Sequence, residues 1–146
     1  MTATTTRRRL PPAPIPRAAV DLMRRAADGL AEAHRRDDPL ARYPTAYLAA
    51  LRAASAVLAV RAARPPRRGR NRSVWHQLAD AAPELAEWAA FFAACSNTRA
   101  AAEAGIARWV SSRDADEMLS QAEQFVELVR EIVPARWSSR GDESGA

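Results

Sequence analysis

Hydrophobic positions recur every three or four residues along most of the chain, which is the spacing of one face of an α-helix. No stretch alternates apolar and polar residues over a useful length, so no β-strand is predicted. The first helix is predicted from Pro16 or Arg17 to Arg36 and ends at Asp37-Asp38-Pro39. Its apolar stripe consists of Val20, Met23, Ala27, Leu30 and His34. His34 also falls in the last turn, where a cation complements the helix dipole.

The second helix is predicted to begin near Pro44 and to run to about Arg64, where Pro65-Pro66 stops it. Its main stripe consists of Tyr47, Leu51, Ala54 and Leu58. Nine alanines lie between Ala46 and Ala63. Alanine is the best helix former, and its small side chain lets a neighbouring helix approach closely.

The second half of the chain predicts three more helices. Ser73 is placed to cap a short helix from Val74 to Ala82. Pro83 then starts a helix that we extend to Glu103, with Gly105 as its C-terminal cap. This helix contains Trp88, Phe91 and Phe92 and is the most aromatic part of the chain. We therefore expect it to be the central element, with Trp88 and Phe92 anchoring the core.

The last predicted helix starts at Ser111 or Ser112 and closes at Pro134. Its broad stripe consists of Met118, Leu119, Ala122, Phe125, Val126, Val129 and Val133. The fold class predicted from these patterns is all-α, an antiparallel bundle of about five helices. We expect residues 17–134 to form this bundle, with an Arg-rich loop at 64–72, a disordered arm at 1–16 and a disordered tail at 135–146.

Positive charge is concentrated outside the predicted helices. All 22 cationic residues are arginine, in a chain of 146 residues with a formal net charge of +5. Residues 1–17 carry four arginines and residues 64–72 carry five, and neither segment contains an acidic residue. The helical body retains 11 arginines against 15 acidic residues and is therefore net acidic, which argues against a basic binding face on the bundle itself.

Several functional classes are not predicted. No run of 18 apolar residues indicates a membrane span, and the first residues do not look like a secretory signal, so we expect a cytoplasmic protein without membrane contact. The single Cys95 is expected to be a small buried hydrophobe. With two histidines far apart and five scattered glycines, the sequence predicts neither a metal site nor a phosphate-binding glycine loop, and we expect no cofactor.

One segment stands out as candidate chemistry, the stretch Arg70-Asn71-Arg72-Ser73-Val74-Trp75-His76. Exposed amides at a helix start bind anions, and arginine adds bidentate phosphate contacts. A histidine that titrates near neutral pH can move a proton. Together these parts would suffice for metal-free RNA cleavage. The candidate catalytic pair is Arg70 and His76, and the candidate phosphate-binding residues are Arg64, Arg67, Arg68, Arg70, Asn71, Arg72 and Ser73.

The spacing Arg-Asn-x4-His resembles the Arg-x4–6-His motif of HEPN domains, and the wider pattern resembles an actinobacterial HEPN family often called SAV_6107-like. The segments that carry the resemblance are Arg42-Tyr43, Tyr47 to Ala53, Ser73-Val74-Trp75 and Pro83 to Phe92. The resemblance implies a helical bundle, a homodimer, and either a ribonuclease or an inactive RNA-binding or regulatory module. In active relatives the motif usually lies close to the last core helix, whereas here it precedes a short middle helix.

Three hypotheses follow. The first is a binding or regulatory module for RNA, a nucleotide or a partner protein. The second is a metal-independent ribonuclease of the toxin or defence type that uses Arg70 and His76 across a dimer cleft. The third is a purely structural protein–protein module. The first hypothesis, a binding or regulatory module, is favoured because the Arg–His motif lies before a short middle helix and because the helical body is net acidic.

Overall fold

The computed structural model describes residues 14–61 and 73–134, and in this part of the chain every regular element is helical. The all-α prediction is confirmed. The predicted arm up to residue 13, most of the Arg-rich loop and the tail from residue 135 lie outside the described residues. The six α-helices are α1 (Arg17–Arg35), α2 (Pro39–Arg61), α3 (Val74–Ala81), α4 (Ala86–Ala94), α5 (Ser96–Glu103) and α6 (Ser112–Val129), with 3₁₀ turns at Pro83–Leu85 and Ala107–Trp109.

The start of α2 differs from the prediction, which placed it near Pro44. The helix begins at Pro39, because the Asp38 carboxylate accepts a hydrogen bond from the Leu40 amide at 3.0 Å and the Asp38 carbonyl accepts from Ala41 and Arg42. A proline is tolerated at the first helical position, where its missing N–H would have no helical partner. Pro44 therefore lies inside the helix.

The single helix predicted from Pro83 to Glu103 is divided. Its first turn, Pro83–Leu85, is a 3₁₀ turn, and the remainder is split into α4 and α5 at Cys95. The Cys95 amide donates to the Phe92 carbonyl at 3.0 Å, and the Ser96 hydroxyl donates to the Ala93 carbonyl at 2.9 Å. These short-range bonds interrupt the regular α-helical hydrogen-bond pattern. Serine hydroxyls that donate to a carbonyl in the preceding turn often bend a helix.

The predicted caps are confirmed. Ser73 caps α3, since its hydroxyl accepts from the His76 amide at 3.2 Å. Ser111 and Asp114 form a reciprocal capping box at the start of α6, with both bonds 3.0 Å long. Gly105 follows α5 with φ of +81°, a conformation that favours glycine. The Gly105 amide donates to the Ala102 carbonyl, and the Ile106 amide donates to the Ala101 carbonyl. These are the two hydrogen bonds of a Schellman motif.

The central element is α2, and the expectation that the aromatic helix would occupy this place is wrong. α2 packs against α1, α3, α5 and α6. Six of its nine buried residues are alanine, so neighbouring helices approach it from several sides; the nine are Tyr43, Ala46, Tyr47, Ala49, Ala50, Ala53, Ala54, Ala56 and Val57. α1 runs antiparallel to it, because Gly29 faces Ala49 while the end of α1 contacts Arg42.

The predicted stripe of α1 is displaced slightly around the helix. Val20 and Met23 are buried as predicted, but Ala26 and Ala33 are buried in place of Ala27 and His34. The displacement is a small rotation of the stripe, in which the small Ala33 is buried and the larger, polar His34 is exposed.

An aromatic cluster joins α2, α3, α4 and α6 above this small-residue interface. Phe92 is fully buried at its centre, stacked on Trp75 with ring centroids 5.0 Å apart and 5.2 Å from Phe125. The Trp75 indole N–H donates to the Tyr47 hydroxyl at 2.8 Å, which satisfies a buried polar pair. Phe92 anchors the core as predicted, whereas Trp88 is only partly buried.

By length and composition, α2 could cross a membrane, and among the described helices it alone meets that test. Half of its apolar window is buried inside the bundle. This is weak evidence for a span, and the absence of membrane contact stays a prediction.

Phe92→Ala should lower the free energy of unfolding by about 3–5 kcal/mol, because it empties the centre of the aromatic cluster. Phe91→Ala is the matched control, since Phe91 is 37% exposed, and it should cost about 1 kcal/mol or less. Urea unfolding followed by far-UV circular dichroism measures both. Equal losses for the two variants would contradict the assigned core.

Candidate functional site

The N-terminus of α3 holds the two predicted site residues that the structure describes, Ser73 and His76. The Ser73 hydroxyl lies 2.8 Å from Nδ1 of His76 and also accepts from the His76 backbone amide. Both side chains are exposed. The hydroxyl therefore orients the imidazole ring through Nδ1 while it caps the helix.

The other predicted site residues, Arg64, Arg67, Arg68, Arg70, Asn71 and Arg72, lie outside the described residues. Neither the convergence of Arg70 on His76 nor the phosphate-binding role of the Arg-rich loop is tested. Both stay predictions.

A cavity of about 250 Å³ lies where α2, the α4–α5 junction and the start of α6 meet. Tyr43 and Cys95 line it together with the exposed rings of Phe91 and Trp109. Its remaining lining residues are Thr98, Asp114, Glu117 and Met118. The lining thus combines aromatic surface with two carboxylates, and no cation among the described residues lines it.

The electrostatics of the cavity are set by burial and by its two carboxylates. Burial raises the pKa of the Tyr43 hydroxyl well above its ordinary value of 10.0, and hydrogen bonding to Cys95 and the charge of Asp114 raise it further. Burial also raises the pKa of the Cys95 thiol from 9.0, with the Glu117 charge acting in the same direction. Both groups are therefore protonated at neutral pH, so Cys95 is no activated nucleophile.

Arg42 is a structural residue that the sequence analysis quoted only as part of a resemblance. Its Nε donates to the Ala33 carbonyl at 3.0 Å and its Nη2 to the His34 carbonyl at 3.2 Å, while Nη1 pairs with Asp116 of α6. The guanidinium thereby satisfies the open carbonyls at the end of α1 and ties α1, α2 and α6 together. Its donors are engaged, so it is a poor candidate for binding an external phosphate.

His34 lies in the last turn of α1 as predicted, and its Nε2 also contacts Glu123 of α6. Cys95 is only half-buried, rather than the fully buried residue expected. Trp109, expected in the core or in an interface, is 53% exposed. Among the described residues, no group of three metal-ligating side chains converges.

Sequence reasoning missed the cavity because its lining comes from three separated segments. Tyr43 precedes the predicted start of the second helix, Cys95 was expected to be a small buried hydrophobe, and no local motif links either of them to Asp114. The available signal was the unusual density of aromatic residues in α4 together with the acidic first turn of α6, and neither indicates a cavity alone.

Comparison with known protein families gives one match. The family model HEPN_SAV_6107, described as a SAV_6107-like HEPN, matches residues 33–130. That range spans the end of α1 through α6 and includes Ser73, His76 and all residues that line the cavity. Searches of curated proteins and of solved structures found no match.

The raised pKa values of Tyr43 and Cys95 predict that stability falls as pH rises above about 9, because the folded state keeps protons that the unfolded state has lost. Tyr43→Phe should flatten this decline, since each proton retained contributes up to about 1.4 kcal/mol per pH unit. Urea unfolding between about pH 8 and pH 11 measures the slope. An unchanged slope in Tyr43→Phe would contradict the assigned environment.

Proposed function

Because the chain belongs to the SAV_6107-like HEPN family, we propose that it is a non-catalytic HEPN module that binds RNA through its Arg-rich segment. HEPN domains serve both as ribonucleases and as inactive binding modules, so the family alone leaves the choice between the two open. The choice depends on His76 and on the distribution of charge.

The separation of charge is the observation that carries the proposal. The described residues contain twelve arginines and fifteen acidic residues, while residues 64–72 contain five arginines and no acid. The latter segment leads directly into Ser73 and the N-terminus of α3. An RNA backbone would be attracted to this segment and repelled by most of the helical surface. Such binding needs phosphate contacts only and makes no demand on catalytic geometry.

The environment of His76 supports binding over cleavage. Its ring is exposed on a helix of eight residues, and Nδ1 contacts the hydroxyl that caps that helix. Efficient acid–base catalysis usually takes place in a site that excludes water, which strengthens interactions with the developing charge. No such enclosure surrounds His76 among the described residues.

The second candidate is a metal-independent ribonuclease that uses Arg70 and His76. The 2.8 Å contact between Ser73 and His76 favours it, because a hydroxyl that orients an imidazole can prepare its other nitrogen for proton transfer. In this reaction the 2′-hydroxyl attacks the adjacent phosphorus, the 5′-oxygen leaves, and a 2′,3′-cyclic phosphate remains.

If the proposal is correct, the full chain binds single-stranded RNA. The logarithm of its binding constant then falls linearly with the logarithm of the salt concentration, by about 0.7 per phosphate contact. Replacing Arg67, Arg68, Arg70 and Arg72 with alanine together should flatten the slope. A matched control replaces Arg24, Arg25, Arg113 and Arg130, which removes the same charge from the exposed helical surface. Fluorescence anisotropy at several salt concentrations measures binding. Equal effects of the two quadruple variants would contradict a specific role for the loop.

Incubation of the same RNA with the protein in EDTA separates the two candidates. The binding proposal predicts no cleavage products, and His76→Ala should leave affinity unchanged. Products that end in 2′,3′-cyclic phosphate and disappear in His76→Ala would establish the ribonuclease instead. Absence of binding even at low salt would favour the third, purely structural hypothesis.

The protein is further proposed to form a homodimer in the cytoplasm, in keeping with the HEPN resemblance. Ile106 is a large apolar side chain that is 37% exposed and does not line the acidic cavity, and it supports an interface between two chains. Light scattering at tens of micromolar protein should give the mass of two chains, and Ile106→Glu should shift it toward one chain. A concentration-independent monomer would contradict this assembly.

A further inference from the structure

The cavity beside Tyr43 has a lining that suits one class of ligand. Two carboxylates, Asp114 and Glu117, and two exposed aromatic rings, Phe91 and Trp109, share a space of about 250 Å³. An arginine side chain matches this combination, because its planar guanidinium stacks on aromatic faces and donates hydrogen bonds to carboxylates.

The arginines next to the lining residues do not line the cavity themselves. Arg108 and Arg113, next to Trp109 and Asp114, are exposed, whereas Arg42 and Arg99 are committed to other partners. Arg42, next to Tyr43, bonds to the end of α1 and to Asp116. Arg99, next to Thr98, lies over the Tyr47 ring with its Cζ 5.1 Å from the centroid and pairs with Glu103. Neither lines the cavity, so neither neutralises it from within.

The negative potential reaches the floor of the cavity. The Asp114 charge acts on Tyr43, and the Glu117 charge acts on Cys95. One Asp114 oxygen, Oδ2, accepts the Ser111 amide of the capping box. Glu117 is exposed and has no capping role among the described contacts, so its carboxylate is placed to receive a cation.

Size and charge together exclude other ligand classes. Clefts that hold a whole small-molecule ligand usually measure about 300–1,000 Å³, so this space suits a single side chain better than a nucleotide. A phosphate group would also meet two like charges at the rim. Tryptophan and arginine are among the residues most enriched in the anchors of protein–protein interfaces, so an exposed Trp109 beside a space that suits an arginine fits such an interface.

We propose that the cavity lined by Phe91, Trp109, Asp114 and Glu117 binds an arginine side chain presented by an extended segment of a protein partner. The guanidinium stacks on Trp109 and pairs with Glu117, while the aliphatic part of the arginine covers Phe91. None of these four residues belongs to the Arg-rich segment proposed to bind RNA, so the two proposals stand or fall separately.

Peptide binding to the full-length chain tests the proposal by isothermal calorimetry. The probe is the peptide Thr-Arg-Arg-Arg-Leu, which is the sequence of residues 6–10, and its partner probe is Thr-Lys-Lys-Lys-Leu. We expect the arginine peptide to bind more tightly, because the planar guanidinium makes bidentate hydrogen bonds to a carboxylate and stacks on aromatic rings. The lysine ammonium does neither in the same way. Glu117→Gln should weaken binding about fivefold, the effect of one partly exposed ion pair.

Glu127→Gln is the matched control, because Glu127 is an exposed carboxylate further along α6 that does not line the cavity. It should change the affinity less than twofold, as expected of screened charge at a distance. Trp109→Leu keeps apolar surface but removes the stacking ring, and should abolish the preference for arginine over lysine. Circular dichroism confirms that each variant is folded.

Several results would overturn the proposal. Equal weakening by Glu117→Gln and Glu127→Gln, or equal affinity for the two peptides, would mean diffuse attraction to an acidic surface. Binding seen only after residues 1–13 are deleted would make the chain's own arginines the occupant instead of a partner. A dimer that becomes a monomer in Trp109→Leu would assign this face to a second copy of the chain.

Discussion

The close approach of α1 to α2 is the constraint on which the rest of the structure depends. At their crossing, a Cβ built on Gly29 would lie only 3.3 Å from that of Ala49, which is tighter than most contacts between side chains. The helices can meet here because one position has no side chain and the other has a single methyl group. Since α2 presents alanine on several faces, α3, α5 and α6 pack around it as well.

This approach determines where the polar groups lie. Because the end of α1 reaches the start of α2, Arg42 can bond to the carbonyls of Ala33 and His34 and still pair with Asp116 of α6. That fixes the start of α6 beside Tyr43, which forms one wall of the acidic cavity. The aromatic cluster around Phe92 packs Trp75 of α3 and Phe125 of α6 together, next to Tyr47 of α2. The cavity thus follows from packing, and no described residue other than Gly105 adopts a positive φ.

Features encoded by neighbouring residues could be predicted from the sequence. Ser73, Ser111 and Gly105 have their cap roles because each needs only a short segment and a suitable side chain or φ angle. The start of α2 was misplaced because Pro44 is a strong local signal, whereas the Asp38 cap outweighs it. The central position of α2 was missed because a helix with large aromatic side chains was expected to lie at the centre. The close packing around α2 depends on small side chains instead. The cavity could not be predicted at all, since it requires the relative placement of three segments.

The free energy of unfolding of Ala49→Leu, compared with Ala59→Leu, tests the packing account most directly. Ala49 is fully buried against Gly29, and Ala59 is an exposed position on the same helix, so the two variants add the same atoms in different surroundings. The account predicts a loss of about 1–3 kcal/mol for Ala49→Leu from overpacking, and a change within about 0.5 kcal/mol for Ala59→Leu. Equal stability of the two variants would contradict the claim that the fold depends on the close approach of α1 to α2.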